Sequence, residues 1–238
     1  MTSALDAAIH LTRGTFTLDL ALAVPSGRTL ALLGPNGAGK SSAVAALAGL
    51  IPAHGHVRLG DRDLSALPPE RRRIGVVFQD YLLFPHLSVL ENVAFGPRSS
   101  GTPRAAARTA AGEWLERLGI AELGPRHPRD LSGGQAQRVA VARALASDPE
   151  LLLMDEPLAA LDVEVREEVR DELAEHLRDW GGTTIVVTHS MEDVAGLASD
   201  VVVLERGAAV QRGTVRDVVR GPATPWIERL VSSWADDD

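Results

Sequence analysis

Gly34-Pro35-Asn36-Gly37-Ala38-Gly39-Lys40-Ser41 has the spacing G-x-x-x-x-G-K-[ST], which suits a loop that holds phosphate. Its glycines let backbone N–H groups curl around phosphate oxygens with no Cβ in the way. In such a loop Lys40 reaches the β- and γ-phosphates of a nucleotide and Ser41 ligates Mg²⁺. Ser42 follows as a further binding position. A helix beginning near Lys40 turns its positive end to the same anion. The ordinary alternative is a Gly-rich turn, and context argues against it: a buried strand precedes the motif and an Ala-rich helix follows.

A second group of candidates is acidic. Asp155 closes the apolar run Leu151-Leu152-Leu153-Met154 and is placed to hold Mg²⁺ through water. Glu156 comes next, at the strand end, where a carboxylate can polarise a water for in-line attack on the γ-phosphate. Asp-Glu-Pro could instead cap a following helix, with Pro157 in its first turn. The phosphate loop upstream favours the chemical reading.

The elements that must position these residues are legible as short, continuous apolar runs. Thr29 to Leu33, Val76-Val77-Phe78, Leu151 to Met154, Thr184 to Val187 and Val201 to Leu204 read as parallel strands buried on both faces. Gly34, Gln79, Asp155 and His189 stand at the carboxyl ends of four of them, the edge at which open α/β sheets bind ligands. Phe16, Leu18, Leu20, Leu22 and Val24 alternate instead, as in a half-buried antiparallel strand. Gly207 marks a hairpin turn. Ala105 to Leu118 and Gln135 to Ala146 are rich in strong helix formers, and Pro97, Pro103, Pro125 and Pro128 punctuate that stretch. The expectation is an α/β core with a helical subdomain inserted in it.

Composition bounds the rest. The 238 residues, 45% hydrophobic and 24% charged, fit one large domain or two intimately joined ones. No apolar run approaches the roughly 20 residues that span a bilayer, and Met1 to Asp6 lacks the layout of a signal peptide. With no cysteine there is no disulfide framework or thiolate metal site, and a cytosolic location is the default. A net charge of −8 argues against a nucleic-acid surface. Arg71-Arg72-Arg73 reads as a solvated loop and Asp236-Asp237-Asp238 as a frayed terminus. His10, His54, His56, His86, His127 and His176 show no metal-ligand spacing and read as surface residues.

Leu131-Ser132-Gly133-Gly134-Gln135 adds the decisive oddity. Ser132 can cap the helix running through Gln135 to Arg138 and leave its first amides free, making a second anion-binding helix end in one chain. One γ-phosphate does not need two such ends. The order of phosphate loop, Leu-Ser-Gly-Gly-Gln and Asp-Glu resembles the ATP-binding cassette family over essentially the whole chain. The resemblance implies a P-loop NTPase core with an antiparallel β subdomain and an inserted helical subdomain. Within a single ATPase domain it assigns 1–84 and 146–238 to the catalytic core and 85–145 to the helical part. It implies ATP and Mg²⁺ as cofactors, with Ser132, Gly133, Gly134 and Gln135 acting in trans on ATP held by the phosphate loop of a second copy. Gln79 becomes a sensor of Mg²⁺ and the attacking water, and His189 a switch residue at the γ-phosphate. Ala159-Ala160-Leu161-Asp162 matches the loop that signals between sites, with Ala159 where serine is usual. The family's adenine-stacking aromatic has no clear counterpart: Phe16 shares the parity of the core residues Leu18 to Leu22, which leaves Arg13 as a possible stacking partner.

Further wording narrows the family. Pro68 to Asp80, Leu83 to Val89 and Asn92 to Gly96 resemble ATPases of bacterial importers for oxyanions, polyols, iron or thiamine, and most of all those for molybdate. The implied partners are permease subunits and, indirectly, a solute-binding protein, with the chain peripheral on the cytoplasmic face of the membrane and no nucleic acid involved. Tyr81 to His86, apolar for a loop, reads as a socket for a permease helix, or as packing beneath the helical subdomain. Many relatives carry a C-terminal regulatory β-domain, and the chain ending soon after Trp226 to Arg229 implies that it lacks one. A chromosome or DNA-repair head would need long coiled coils between Gln79 and Ser132. A small-molecule kinase would not need Leu131 to Gln135.

Overall fold

The computed structural model describes residues 3–236; Met1, Thr2, Asp237 and Asp238, which carry much of the expected leaderless start and acidic end, lie outside the described residues. In chain order the strands are β1 (Leu5–Arg13), β2 (Phe16–Val24), β3 (Thr29–Leu33), β4 (His54–Leu59), β5 (Arg62–Asp63), β6 (Ile74–Val77), β7 (Leu151–Asp155), β8 (Thr183–Thr188), β9 (Asp200–Glu205) and β10 (Ala208–Thr214). The helices are α1 (Lys40–Leu47), α2 (Val89–Val93), α3 (Phe95–Ser99), α4 (Arg104–Arg117), α5 (Gly133–Leu145), α6 (Val163–Trp180), α7 (Met191–Leu197), α8 (Val215–Arg220) and α9 (Pro225–Asp236). The strands form one sheet in the order β5-β4-β1-β2-β10-β9-β3-β8-β7-β6. From β9 to β6 the neighbours are parallel. β1, β2, β4 and β5 pair antiparallel, and β10 joins the two regions, antiparallel to β9 and parallel to β2 at Ala208 and Asp19.

Continuous apolar strands follow from cover on both faces. Leu151 and Leu153 of β7, Ile185 and Val187 of β8, and Leu30 and Leu32 of β3 pack with Ala43, Val44 and Leu47 of α1. Leu152, Met154 and Val186 point the other way, into a core with Val139, Ala140, Val169 and Leu173 of α5 and α6. Ala31, Leu33, Val201 and Val203 meet Met191, Val194, Ile227 and Val231 of α7 and α9. β6 departs from the expectation. As an edge strand it buries only alternate residues, Gly75 and Val77, and it ends before Phe78. β2 shows the expected alternation. β1 is an addition to it, pairing along its length with β2 through the inward residues Leu5, Ala7, Ile9 and Leu11.

The predicted hairpin is present. Arg206 and Gly207 both take positive φ, 49° and 82°, between β9 and β10, the conformation of a primed two-residue turn. A Cβ on Gly207 would lie 1.9 Å from the Thr17 carbonyl oxygen, so the position is closed to other residues on two counts. The Ala-rich stretches fold as α4 and α5. Their core runs without a break into Leu152 and Met154 of β7, so the inserted helices share a hydrophobic core with the sheet.

Arg71 and Arg73 are exposed, as the solvated-loop reading expects, but Arg72 overturns it. Arg72 is buried, and its guanidinium donates to the carbonyls of Ala46 at 3.2 Å and Leu47 at 2.7 Å at the end of α1, and to those of Leu67 and Ser65. A helix leaves its last carbonyls without partners within the helix; Arg72 serves that of Leu47 and joins the Gly49 amide at that of Ala46. It therefore braces from behind the helix that carries Lys40. A Cβ on Gly49 would meet Arg72 Nε at 2.5 Å. Arg73 pairs with Asp148 at 2.7 Å and Glu150 at 2.8 Å. Three of the histidines read as surface residues, His56, His127 and His176, are half-buried. Burial lowers the basicity of His176.

Candidate active site

β3 delivers the chain into the phosphate loop, and backbone geometry explains its glycines. Gly37 and Gly39 take φ of 79° and 106°, a region that disfavours side chains. A Cβ on Gly34 would lie 2.2 Å from the Leu204 carbonyl oxygen of β9. The loop is fastened to the β9–β10 turn by the Gly207 amide, which donates to the Ala38 carbonyl at 3.0 Å. Lys40 opens α1 and is buried. Its Nζ donates to the carbonyls of Gly34 at 2.7 Å and Pro35 at 3.1 Å, so the loop is curled around its own lysine. Burial lowers the Lys40 pKa, while Glu156 and Asp155 nearby oppose that shift.

The acidic pair arrives from β7. Burial raises the Asp155 carboxyl above its usual range, partly offset by a hydrogen bond from Ser41. Asp155 Oδ1 is buried with no hydrogen-bond partner. A hydroxyl–carboxylate pair in which one carboxylate oxygen is buried and unsatisfied is a donor set that fits a hard divalent cation. Glu156 takes φ of 49°, a left-handed kink that turns its side chain away from the strand. Its amide donates to the Val187 carbonyl at 2.9 Å. Its Oε1 lies 3.3 Å from His189 Nδ1 and 3.9 Å from Lys40 Nζ. α6 begins only at Val163, so Pro157 is not in a first helical turn and the capping alternative for Asp-Glu-Pro is removed.

Phe16, Asn36, Gly37, Gly39, Lys40, Ser41, Ser42, Gln79 and Glu156 line one cleft of about 460 Å³. Of the four expected strand-end residues Gln79 lines this cleft itself, whereas Gly34, Asp155 and His189 touch it through Lys40, Ser41 and Glu156. Phe16 keeps in part the core packing its parity implies and has a second face besides. It is half-buried and packs partly on the core, yet its ring edges this cleft, and a Cβ on Gly39 would meet its Cζ at 2.7 Å. Parity assigned it inward; as the first residue of β2 it escapes the cover that closes over Leu18. Arg13, its partner across the β1–β2 pairing, is exposed.

Leu131 to Gln135 sits elsewhere. Ser132 caps α5 by accepting from the Gln135 amide at 3.3 Å, and the Gln135 side chain accepts from the Ser132 amide at 3.1 Å, a reciprocal capping box. The cleft there, about 370 Å³, is lined by residues that include Ser132, Gly133, Gly134, Gln135, Leu161 and Asp162. It shares no lining residue with the phosphate-loop cleft. The two glycines serve packing as well as anion access: a Cβ on Gly133 would lie 3.1 Å from Leu161 Cδ2, and one on Gly134 3.3 Å from Val169 Cγ2.

The apolar segment after Gln79 does two things. Tyr81 is buried and Leu82 is 55% exposed, although both take positive φ, 57° and 46°. The Arg143 guanidinium donates to both their carbonyls at 2.7 Å and lies 5.5 Å from the Phe84 ring centre. Packing beneath the helices describes Tyr81. Leu82 and Phe95, 55% and 41% exposed, face outward. A roomier cleft of about 1210 Å³ opens at the amino ends of the strands beside Trp114 and Trp180, but of its arginines Arg62 and Arg73 are engaged by Glu150 and Arg117 lies over the Trp114 ring.

A family model described as "ABC transporter" matches residues 18–159. The Fe(3+) ions import ATP-binding protein FbpC of Agrobacterium fabrum is 42% identical over 222 residues, covering 92% of this chain and 63% of that protein. The molybdenum import ATP-binding protein ModC of Mycobacterium tuberculosis is 46% identical over 224 residues, covering 90% of this chain and 61% of its own length. The chain therefore spans about three-fifths of the curated relatives it matches. Among solved structures, CbiO1 of Clostridium perfringens, part of the ABC transporter complex CbiONQ, superposes with a TM-score of 0.81 at 28% identity and 92% coverage of both chains.

Proposed function

Because this chain belongs to the ABC transporter family, we propose that it is the ATP-hydrolysing subunit of a bacterial importer, working as a head-to-tail dimer with ATP between its copies. What carries the reading is the convergence of Lys40, Glu156 and His189, with Glu156 Oε1 within 3.9 Å of the ammonium and 3.3 Å of the imidazole. Residues 85–145 form the helical subdomain in this reading, and 1–84 with 146–238 the catalytic core. No helix among the described residues is long and apolar enough to cross a membrane. The chain works on the cytoplasmic face through permease subunits, which receive solute from a binding protein.

In the proposed reaction Glu156 takes a proton from water as its oxygen attacks the γ-phosphorus, and the bond to the β–γ bridging oxygen breaks. ADP and phosphate leave. His189 holds the Glu156 carboxylate in place, and Lys40 and the loop amides meet the charge on the phosphates. Ser41 and Asp155, with Gln79 at the same edge, would hold Mg²⁺, which would neutralise charge on the phosphates. Ser132, Gly133, Gly134 and Gln135 serve the nucleotide of the second copy. Phe16 stacks on the adenine in place of Arg13. Phe16→Ala should then raise the KM for ATP by about tenfold, the size of one base–aromatic stack, and Arg13→Ala should leave it unchanged; the opposite pattern returns the contact to Arg13.

The relatives' names divide between molybdenum and Fe(3+) ions. The wording of the chain favours an oxyanion such as molybdate, with ferric iron as the alternative and sulfate, thiamine or a polyol behind it. The test is ATPase activity of the chain reconstituted with the permease and binding protein of its own operon. Activity should rise when molybdate-loaded binding protein is added, and stimulation by iron instead would reassign the cargo. An ATPase rate per chain that is independent of both protein concentration and permease would overturn the transport reading.

A further inference from the structure

Asp193 lies in the first turn of α7 and is buried, only 6% exposed. Its Oδ2 accepts a hydrogen bond from the Thr188 hydroxyl at 2.9 Å, and the Thr188 hydroxyl oxygen accepts from the Ser190 amide at 3.1 Å. The Ser190 hydroxyl oxygen in turn accepts from the Asp193 amide at 3.1 Å. These bonds fasten the residues on either side of His189, whose ring meets the Glu156 carboxylate. The imidazole is aimed from α7 and not only from its own strand.

α6 approaches the Asp193 carboxylate, near enough for the charges of its Arg166 and Arg170 to act on it. Arg166 donates to the Leu161 carbonyl at 3.2 Å, and Leu161 lines the cleft at Ser132 to Gln135, the signature cleft. Arg170, one turn further on, lies across Gly196 of α7, where a Cβ would meet its Cδ at 2.7 Å. Burial raises the Asp193 carboxyl above its usual range; the Thr188 hydrogen bond and then the charges of Arg166 and Arg170 work against that shift, and Glu192 adds to it. Yet Asp193 Oδ1, Arg166 Nε and Arg170 Nε are each buried without a hydrogen bond; Arg170 Nε has Asp171 at 3.8 Å. Buried charged groups left open in this way are costly and are normally paired. A small shift of α6, which begins at the Asp162 loop, against α7 would complete the pair.

We propose that Asp193 is a positioning residue that links the signature cleft to the phosphate-loop cleft, through Leu161, Arg166, Asp193, Thr188, His189 and Glu156. ATP from the second copy pressing on the Asp162 loop would close the pair between α6 and α7 and set His189 against Glu156. The path lies within one chain but joins the halves of two different nucleotide sites, so it would make them cooperative. The loop's usual serine is Ala159 here, and the Arg166 side chain holds the loop through the Leu161 carbonyl. The proposal rests on the functional reading above.

The experiment is steady-state ATP hydrolysis by the permease complex carrying Asp193→Asn, Arg166→Met or both. Each single variant should keep the KM for ATP within about twofold, lower kcat by roughly tenfold and lose cooperativity in ATP, the size of an ordinary site-to-site coupling. The double variant should fall no further than the worse single one, because the two act as a unit. Asp193→Glu keeps the charge and should recover most of kcat. Wild-type kcat with cooperativity intact in Asp193→Asn would overturn the proposal, as would losses that multiply in the double variant. Equal loss of ATP binding and kcat with a lowered Tm in both Asp193 variants would show a structural role instead. A wild-type complex that does not hydrolyse ATP is a separate result, and it would sink the functional reading itself.

Discussion

Glu156→Gln is expected to reduce ATP turnover by about 10²- to 10⁴-fold, the contribution of a positioned general base, while ATP still binds. The amide has nearly the same shape, so the left-handed kink at Glu156 and the hydrogen bond from its backbone to Val187 remain. Contact with His189 also survives, since an amide can pair with either tautomer of the ring. Only the proton acceptor goes. A binding site that fills and does not empty by hydrolysis should accumulate as the nucleotide-bound dimer. Size-exclusion chromatography in Mg²⁺ and ATP should therefore show a dimer for the variant at concentrations where the wild type runs as a monomer. Turnover within a few-fold of wild type would remove Glu156 from the role of base. A loss of ATP binding would mean that the carboxylate holds the loop through Lys40, 3.9 Å away, rather than acting on water.

What was legible in the sequence was whatever depends on neighbours along the chain. The phosphate loop, the Ser132 cap and the Gly207 turn are each written within a few residues, in glycine placement and hydroxyl spacing. The parallel strands are legible for a related reason: a strand covered on both faces must be apolar throughout, and that leaves a local mark on Thr29 to Leu33 and Thr183 to Thr188. The misses depend on distant partners. Phe16 has the parity of a core residue, and only the position of Gly39 shows that its ring reaches the nucleotide cleft. Arg72 looks like part of a basic loop until the end of α1, some 25 residues earlier, is found beneath it. Asp193 reads as an acidic first-turn residue of a helix, which many helices have. Its value comes from burial against α6, which no local pattern encodes. The same reasoning separates the two glycines of the signature. Their sequence suggests room for phosphate, whereas the contacts of Gly133 with Leu161 and of Gly134 with Val169 show that the backbone must also sit close to the Asp162 loop and α6.

Ser132→Arg should abolish hydrolysis without abolishing ATP binding, because the two clefts share no lining residue. The guanidinium would fill the cleft of about 370 Å³ in which the second copy's nucleotide must dock. Losing donors aimed at the reacting phosphate costs on the order of 10²- to 10³-fold in rate. The variant also loses the cap on α5, worth about 1 kcal/mol, so Ser132→Ala is the control: it loses the same hydrogen bond from Gln135 with no added bulk. It should lose less activity than Ser132→Arg, and the difference between the two variants measures the cost of blocked docking. The sharper test mixes two inactive chains. Lys40→Ala lacks a working phosphate loop but keeps its signature, and Ser132→Arg has the reverse. A mixed dimer pairs the intact loop of one with the intact signature of the other, and concentrates both lesions in the second site. Single-turnover hydrolysis of ATP should therefore appear on mixing, where neither parent shows it. That readout needs only one competent site and does not require both to cycle. If mixing yields dimers and no hydrolysis, the signature acts within its own chain, and the two helix ends Ser132 and Lys40 must be brought together by folding rather than by assembly.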